Sequence, residues 1–311
     1  MSETRTAPPA GSAAAARVLA GPPSVPGLAA RSLFNQSRRR RRPGDRAGSG
    51  NGDPGGLPDT ALTLSDQPVD AGRLARYQRL CGFDVSGAVP ATFVHVLAFP
   101  LGVALMADPA FPFPLLGLVH VANRITQLRP VDVSARLDLT VRAENRRPHP
   151  SGEQVDLVAD AAVAGELVWT GLSTYLHRGA PSGTRSSGGR PPSTDEPRAD
   201  PTMVWRLPAD LGRRYAAVSG DRNPIHLSAL SARAFGFPRA IAHGMWLQAR
   251  VLATLAPRLP SAFTAEVDFK TPALLPSTVA FQAVASDGGW DVAVRAAGSG
   301  RPHVVGRISP G

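Results

Sequence analysis

The sequence predicts an α+β protein of two similar modules behind a polar N-terminal tail. Three observations carry that prediction. Residues Val131–Val141 alternate strictly: Val131, Val133, Ala135, Leu137, Leu139 and Val141 face one side, and Asp132, Ser134, Arg136, Asp138 and Thr140 face the other. That period of two is the mark of a half-buried antiparallel strand. The order of segments in the first half returns in the second, at a shift of about 144 residues that lays Pro100 on Gly244 and Val119–Pro130 near Phe263–Leu274. Residues 1–56 and 181–201 are rich in Gly, Pro, Ser and Arg and show no periodicity. They read as a disordered tail and a linker. The expected layout is therefore a tail over 1–56, a first module over 57–180, a linker over 181–201 and a second module over 202–311.

In the first module Asp70–Phe83 places Leu74, Tyr77, Leu80 and Cys81 at helical spacing. Thr92–Met106 is mostly apolar and interrupted by Pro100. Strands are expected at Val131–Val141, Gln154–Val163 and Glu166–Leu176. In the second module a short helix is expected near Leu211–Val218 and another near Ser228–Phe235. A long helix over His243–Leu255 stops at Pro257. Four strands then close the chain, near Phe263–Phe269, Thr278–Ala285, Trp290–Ala296 and His303–Ile308.

Composition narrows the function classes. The 311 residues are 43% hydrophobic, enough for a sizeable core, and no apolar run approaches the ~18–20 residues of a membrane span. Cys81 is the only cysteine, so no internal disulfide framework exists, and no signal peptide is evident after the Ala-rich start. A cytoplasmic protein is the expectation. The net charge of +10 is concentrated in residues 1–56, where nine Arg oppose Glu3, Asp45 and Asp53, giving 9 − 3 = +6. The run Arg38–Arg42 carries no interleaved aromatics for base stacking, so we read it as a solvated tail with no specific nucleic-acid partner. Arginine outnumbers lysine 33 to one, Lys270 being the single lysine, so part of the basic character reflects residue choice rather than a binding face. Dispersed histidines and the lack of a Cys pair predict no metal site. Without a Gly-rich phosphate loop or dinucleotide fingerprint, no bound cofactor is expected.

The chemistry concentrates between Tyr215 and Met245. Here Tyr215-Ala-Ala-Val-Ser-Gly-Asp221-Arg-Asn223-Pro-Ile-His226 is followed, seventeen residues past His226, by Ala242-His243-Gly244-Met245. Asp221 and His226 can act together on one water molecule, an imidazole being the side chain best suited to proton transfer near neutral pH. Asn223 and Pro224 stiffen the turn between them. Gly244 opens a buried helix whose first N–H groups lack intrahelical partners and carry partial positive charge. A ligand oxygen can approach the backbone there, and negative charge developing on a thioester oxygen would be held. Tight helix–sheet packing is the alternative role of Gly244, and His243 is expected to orient the turn.

This segment resembles the MaoC-like, or hydratase-2, family of (R)-specific enoyl-thioester hydratases and dehydratases, whose pattern is Tyr-x-x-x-Ser-Gly-Asp-x-Asn-Pro-hydrophobe-His followed by Ala/Val-His-Gly-Met. Upstream, Val94–Leu101, Phe111–Pro114 and Trp169–Leu176 look like the longer two-module 3-hydroxyacyl-thioester dehydratases of mycobacteria. With Phe269-Lys-x-Pro272 and Leu275-Pro276, the resemblance spans roughly 57–308. It implies a double hotdog: two antiparallel sheets, each wrapped around a long central helix, paired as a pseudo-dimer. It implies a hydro-lyase with Asp221 and His226 as the catalytic pair, Asn223 in support and Gly244 in the oxyanion hole. The implied substrate is a thioester of coenzyme A or acyl carrier protein, and the chain is either a monomeric pseudo-dimer or a homodimer.

Two departures are evident. Short-chain members of the family have a serine nine positions after His243, where this sequence has Leu252. The first module lacks the machinery: at the shift of 144, Tyr77 and Gly82 fall on Asp221 and His226, and Pro100, without an N–H, falls on Gly244. One active site per chain is therefore expected, with His95 and His120 read as structural. The competing readings are a non-catalytic acyl-thioester-binding scaffold, a hotdog thioesterase, and a tail-directed binder of nucleic acid or membrane.

Overall fold

Two five-stranded antiparallel arrays with the same internal order are joined edge to edge into one sheet. The computed structural model describes residues 15–28, 56–179 and 200–311. In chain order the elements are β1 (Ala15–Val18), β2 (Thr60–Pro68), α1 (Ala71–Cys81), β3 (Ala88–Val89), α2 (Ala91–Met106), β4 (Leu118–Gln127), β5 (Val131–Asp132), β6 (Arg136–His149), β7 (Gly152–Val163) and β8 (Glu166–Arg178). The second half contributes β9 (Met203–Leu207), α3 (Leu211–Ser219), α4 (Ala229–Arg233), α5 (Gly244–Leu255), β10 (Phe263–Phe269), β11 (Ser277–Ser286), β12 (Gly289–Ala296) and β13 (Pro302–Pro310). The large sheet runs β1-β2-β6-β7-β8-β4-β10-β13-β12-β11-β9. Reading inward from either end, β2-β6-β7-β8-β4 matches β9-β11-β12-β13-β10. This is the double hotdog, with α2 and α5 as the two central helices.

The seam is the antiparallel pair β4–β10, with Ile125 opposite Ala265 and Asn123 opposite Val267. Ile125 has no exposed surface, and Ala265 and Val267 are equally enclosed. Helices reinforce the seam reciprocally. Arg73 of α1 donates from Nε to the Val218 carbonyl at 2.7 Å and from Nη2 to the Ser219 carbonyl at 3.1 Å, satisfying the C-terminus of α3. In return Trp246 and Arg250 of α5 donate to the Leu80 and Cys81 carbonyls at the C-terminus of α1, at 3.2 and 3.3 Å. Each module thus completes the helix ends of the other.

Most expected elements are present within a residue or two, but four expectations need correction. Residues 15–28 are not an unstructured part of the tail: β1 adds in parallel to the open edge of β2, and Leu19, Val25 and Leu28 pack against the core. The run Arg38–Arg42 and the linker residues 181–199 lie outside the described residues. Val131–Val141 is not one strand. The Asp132 carboxylate accepts from Ser134 N–H at 2.9 Å and from its hydroxyl at 2.6 Å, making a turn that separates β5 from β6. Pro100 does not interrupt Thr92–Met106 but lies inside the continuous helix α2. Finally, a constant shift of 144 fails. The left-handed glycines that end α1 and α3, Gly82 and Gly220, differ by 138, whereas the starts of α2 and α5 differ by 244 − 91 = 153 and those of β4 and β10 by 263 − 118 = 145. Aligned on the glycines, Asp221 corresponds to Phe83 and His226 to Ala88, so the first half still lacks the pair. The short strands β2 and β9 were not expected; both lie outside the alternating runs.

Truncating Ile125 removes core volume at the seam itself. Ile125→Ala is expected to cost about 2–4 kcal/mol in urea denaturation while keeping one cooperative transition, because both modules share this core; two separated transitions would show that the halves are independent.

Candidate active site

Helix α3 ends at Gly220, whose φ of 83° lets the chain reverse where a side chain would strain it. The next residues form a hydrogen-bonded turn. Asp221 N–H donates to Ser219 Oγ at 3.1 Å, Asn223 N–H donates to Asp221 Oδ1 at 3.1 Å, and Ile225 N–H donates to Asn223 Oδ1 at 3.4 Å. Pro224–His226 completes one turn of 3₁₀ helix. Asn223 thus acts through the backbone, as the spacing suggested, and holds Asp221 and His226 at fixed separation.

His226 is buried, and its Nδ1 lies 2.8 Å from the Ile241 carbonyl. That contact requires the proton on Nδ1 and leaves Nε2 as a lone-pair acceptor. Burial holds the imidazole below its ordinary pKa, opposed by the Asp221 charge and the Ile241 carbonyl. His243, immediately before α5, stacks on His226 with centroids 3.6 Å apart and an interplanar angle of 24°. Its Nε2 donates to the Asp221 carbonyl at 3.1 Å, and Tyr215 packs on its other side at 4.8 Å. The Asp221 carboxylate is 3.7 Å from the same nitrogen, but burial and the neighbouring His226 keep His243 well below its ordinary pKa, so the contact joins a carboxylate to a neutral ring. His243 therefore braces the pair from behind.

Asp221, His226 and His243 offer ligand atoms within 4.8 Å of one another. Their geometry suits a metal ion poorly. Imidazole lone pairs lie in the ring planes, and two rings stacked face to face direct them along near-parallel planes rather than toward a common point. His226 Nδ1 and His243 Nε2 are also committed to backbone carbonyls.

Gly244 begins α5, so its N–H has no intrahelical partner. A Cβ at this position would come within 2.8 Å of the Phe269 ring. Glycine is thus required for Phe269 to sit on the helix start, which is the close-packing role. Leu252, at the position of the family's serine, is buried in the core and is not among the residues lining the site.

Asp221, Asn223, His226, His243 and Gly244 all line one cavity of about 500 Å³, a size typical of small-molecule sites. Its remaining walls come from both modules: Phe99, Val103, Met106, Leu118 and Leu176 from the first, Ile241, Met245 and Leu247 from the second. Arg178, Arg222 and Lys270 stand exposed at its edge. The structure departs from the sequence reading at His95 and His120. Both line this cavity rather than serving only as packing, and both feel the Asp221 charge. No spacing rule marked them, because β4 and α2 meet the Asp221 turn only through the tertiary fold.

The arrangement is matched by known proteins. Residues 190–296 match the family model described as a MaoC-like domain. The chain is 38% identical over 253 residues to 3-hydroxyacyl-thioester dehydratase X of Mycobacterium tuberculosis, covering 81% of this chain and 90% of that protein. A crystal structure of that dehydratase, HtdX, superposes with a TM-score of 0.72 at 36% identity, covering 80% of this chain and 99% of the other. A MaoC-like dehydratase from Phytophthora capsici shares the fold, with a TM-score of 0.66 at 17% identity, covering 81% of this chain and 95% of the other. A hotdog protein with a buried Asp/His turn on an apolar cavity is thus defined as a dehydratase-type scaffold. The chain belongs to the MaoC-like dehydratase family.

Burial of the histidines has a measurable consequence. His226 and His243 are held below the ordinary value of about 6.5, as are His95, at about 4, and His120, at about 3, burial being the main cause in each. Between those values and 6.5 the unfolded chain binds more protons than the native one, so stability rises with pH across that window. The melting temperature is expected to fall steadily from pH 6.5 toward pH 4, and less steeply in His95→Phe. A flat profile over this range would contradict the burial of these rings.

Proposed function

We propose that this protein is a hydro-lyase: a (3R)-3-hydroxyacyl-thioester dehydratase, in reverse an (R)-specific enoyl-thioester hydratase, acting on fatty acyl chains carried by coenzyme A or acyl carrier protein. The observation that carries this reading is the Asp221/His226 pair on the wall of an apolar cavity beside the unpartnered N-terminus of α5. The name of the Mycobacterium tuberculosis relative supports it.

In the hydration direction, one water molecule binds between the Asp221 carboxylate and His226 Nε2. The pair removes a proton as the water oxygen bonds to C3 of the trans-2-enoyl thioester. Electrons move through C2 to the thioester oxygen, where the Gly244 N–H and the helix terminus receive the charge. A neutral His226 has no spare proton at the outset, so the proton delivered to C2 is the one taken from the water. Hydroxyl and hydrogen then arrive on one face, giving syn addition. Asn223 holds the pair at its spacing, and His243 supports the ring from behind. Both are positioning residues. The exposed Arg178, Arg222 and Lys270 suit a phosphorylated carrier arm at the cavity edge. A single cysteine, buried at Cys81, suits a cytoplasmic setting.

The test is loss of enoyl-thioester absorbance when the protein meets trans-2-enoyl-CoA, with Asp221→Asn and His226→Ala alongside. Wild type is expected to consume the enoyl band and form the (3R)-hydroxy product. Each variant is expected to fall by about 10²–10⁴-fold in kcat/KM with its melting temperature retained within a few degrees. Failure on both CoA and acyl carrier protein thioesters would overturn the reading in favour of a non-catalytic acyl-binding subunit.

A further inference from the structure

The cavity holds a second polar cluster that the hydration chemistry does not use. His95 of α2, His120 of β4 and Tyr175 of β8 all line it from the first module. Their rings form a stack: His120 lies on Tyr175 with centroids 4.8 Å apart and 15° between planes, and His95 continues it at 6.1 Å and 12°. Phe269, which seats on Gly244, closes the edge of the His120 ring at 5.1 Å. The cluster therefore stands one aromatic ring away from the helix terminus at the reaction centre, and all three side chains feel the Asp221 charge.

Three polar rings on an apolar wall need a reason. His120 Nε2 is enclosed and has no hydrogen-bond partner, a state that costs free energy unless a ligand or water supplies one. His95 likewise has no hydrogen-bond partner among the described residues, although its ring shows surface to the cavity. Both rings are partly accessible yet lie deep within the protein, because the surface they show is cavity wall. The apolar lining continues from His95 along one face of α2 through Phe99, Val103 and Met106, at steps of four, four and three residues. Eleven residues of helix span about 16 Å. A chain leaving the Asp221/His226 pair would meet the His95 end of this stripe first and the Met106 end last.

We propose that His95, His120 and Tyr175 form a subsite for an oxygen-bearing acyl chain, accepting or donating a hydrogen bond to a hydroxyl or carbonyl a few carbons beyond C3. Burial keeps both histidines uncharged near neutral pH; the Ala122 backbone engages one His120 nitrogen and leaves Nε2 as an acceptor, while His95 offers one donor and one acceptor nitrogen. That suits a neutral oxygen and disfavours a carboxylate. The inference rests on the acyl-thioester reading of the cavity.

The experiment compares trans-2-octenoyl-CoA with its 5-hydroxy counterpart by calorimetric affinity in the Asp221→Asn protein, where turnover is slowed, with the ligands recovered unchanged after each titration as a control. The hydroxylated ligand is expected to bind on the order of fivefold more tightly, the worth of one hydrogen bond. Adding His120→Phe, which keeps an aromatic ring in the stack, or His95→Phe as an independent second variant, is expected to bring the ratio to one or below. Equal or weaker binding of the hydroxylated chain, or a preference that survives both replacements, would overturn the subsite. Failure of either ligand to bind at all would instead count against the acyl-thioester reading itself, which the turnover assay examines separately.

Discussion

Strands β4 and β10 pair antiparallel over six residues, from Phe263 opposite Gln127 to Asp268 opposite Ala122, and the site depends on that pairing. It brings the first module's α2 and β8 against the second module's Asp221 turn, which are far apart in sequence. Neither module encloses the cavity alone: one supplies the reacting groups, the other much of the apolar wall. The crossed caps repeat the dependence at the helix ends, since Arg73 completes α3, which leads into the Asp221–His226 turn, while Trp246 and Arg250 from α5 complete α1. A first module without the pair is physically tolerable in such a design. The first module keeps its sheet and central helix for packing, while Phe83 and Ala88 occupy the places of the acid and imidazole.

Burial sets the chemistry within that frame. A carboxylate, two stacked imidazoles and a helix terminus share a largely apolar pocket in which hydrogen-bond directions are fixed. Ile241 holds one His226 nitrogen, so the other is left to work. His243 donates a hydrogen bond to the Asp221 carbonyl and stacks its ring face on His226. Pre-set orientation of this kind makes a small cluster effective without a metal or a bound cofactor as part of the proposed steps.

Much of this was legible in the sequence because the decisive residues are close together along the chain. The Asp221–His226 turn is six residues long and its hydrogen bonds are local, so its residue types, read with Gly244 and the family resemblance, marked it. The helix start at Gly244 and the strands β10 to β13 followed from breakers and alternation. Legibility ended where the cause was tertiary or where one side chain overrode a pattern. His95 and His120 sit 25 residues apart on different elements, and only the docking of α2 on β4 beside the second module makes them cavity residues. The alternation of Val131–Val141 was real in burial but concealed the turn that Asp132 imposes. The interruption expected at Pro100 is absent, because a largely buried helix tolerates a missing N–H that an isolated helix would not. The internal shift varies from 138 to 153 because both loops and elements differ in length between the halves, α2 having 16 residues and α5 having 12, which no single offset can describe.

The central claim is that two similar modules make one active site between them. The direct measurement is the stoichiometry of a (3R)-3-hydroxyacyl-CoA binding to the wild-type chain by calorimetry, with His226→Ala beside it. The account predicts one molecule per chain, with the binding weakened by the replacement. Two equivalent molecules per chain, or one whose affinity ignores His226, would contradict it.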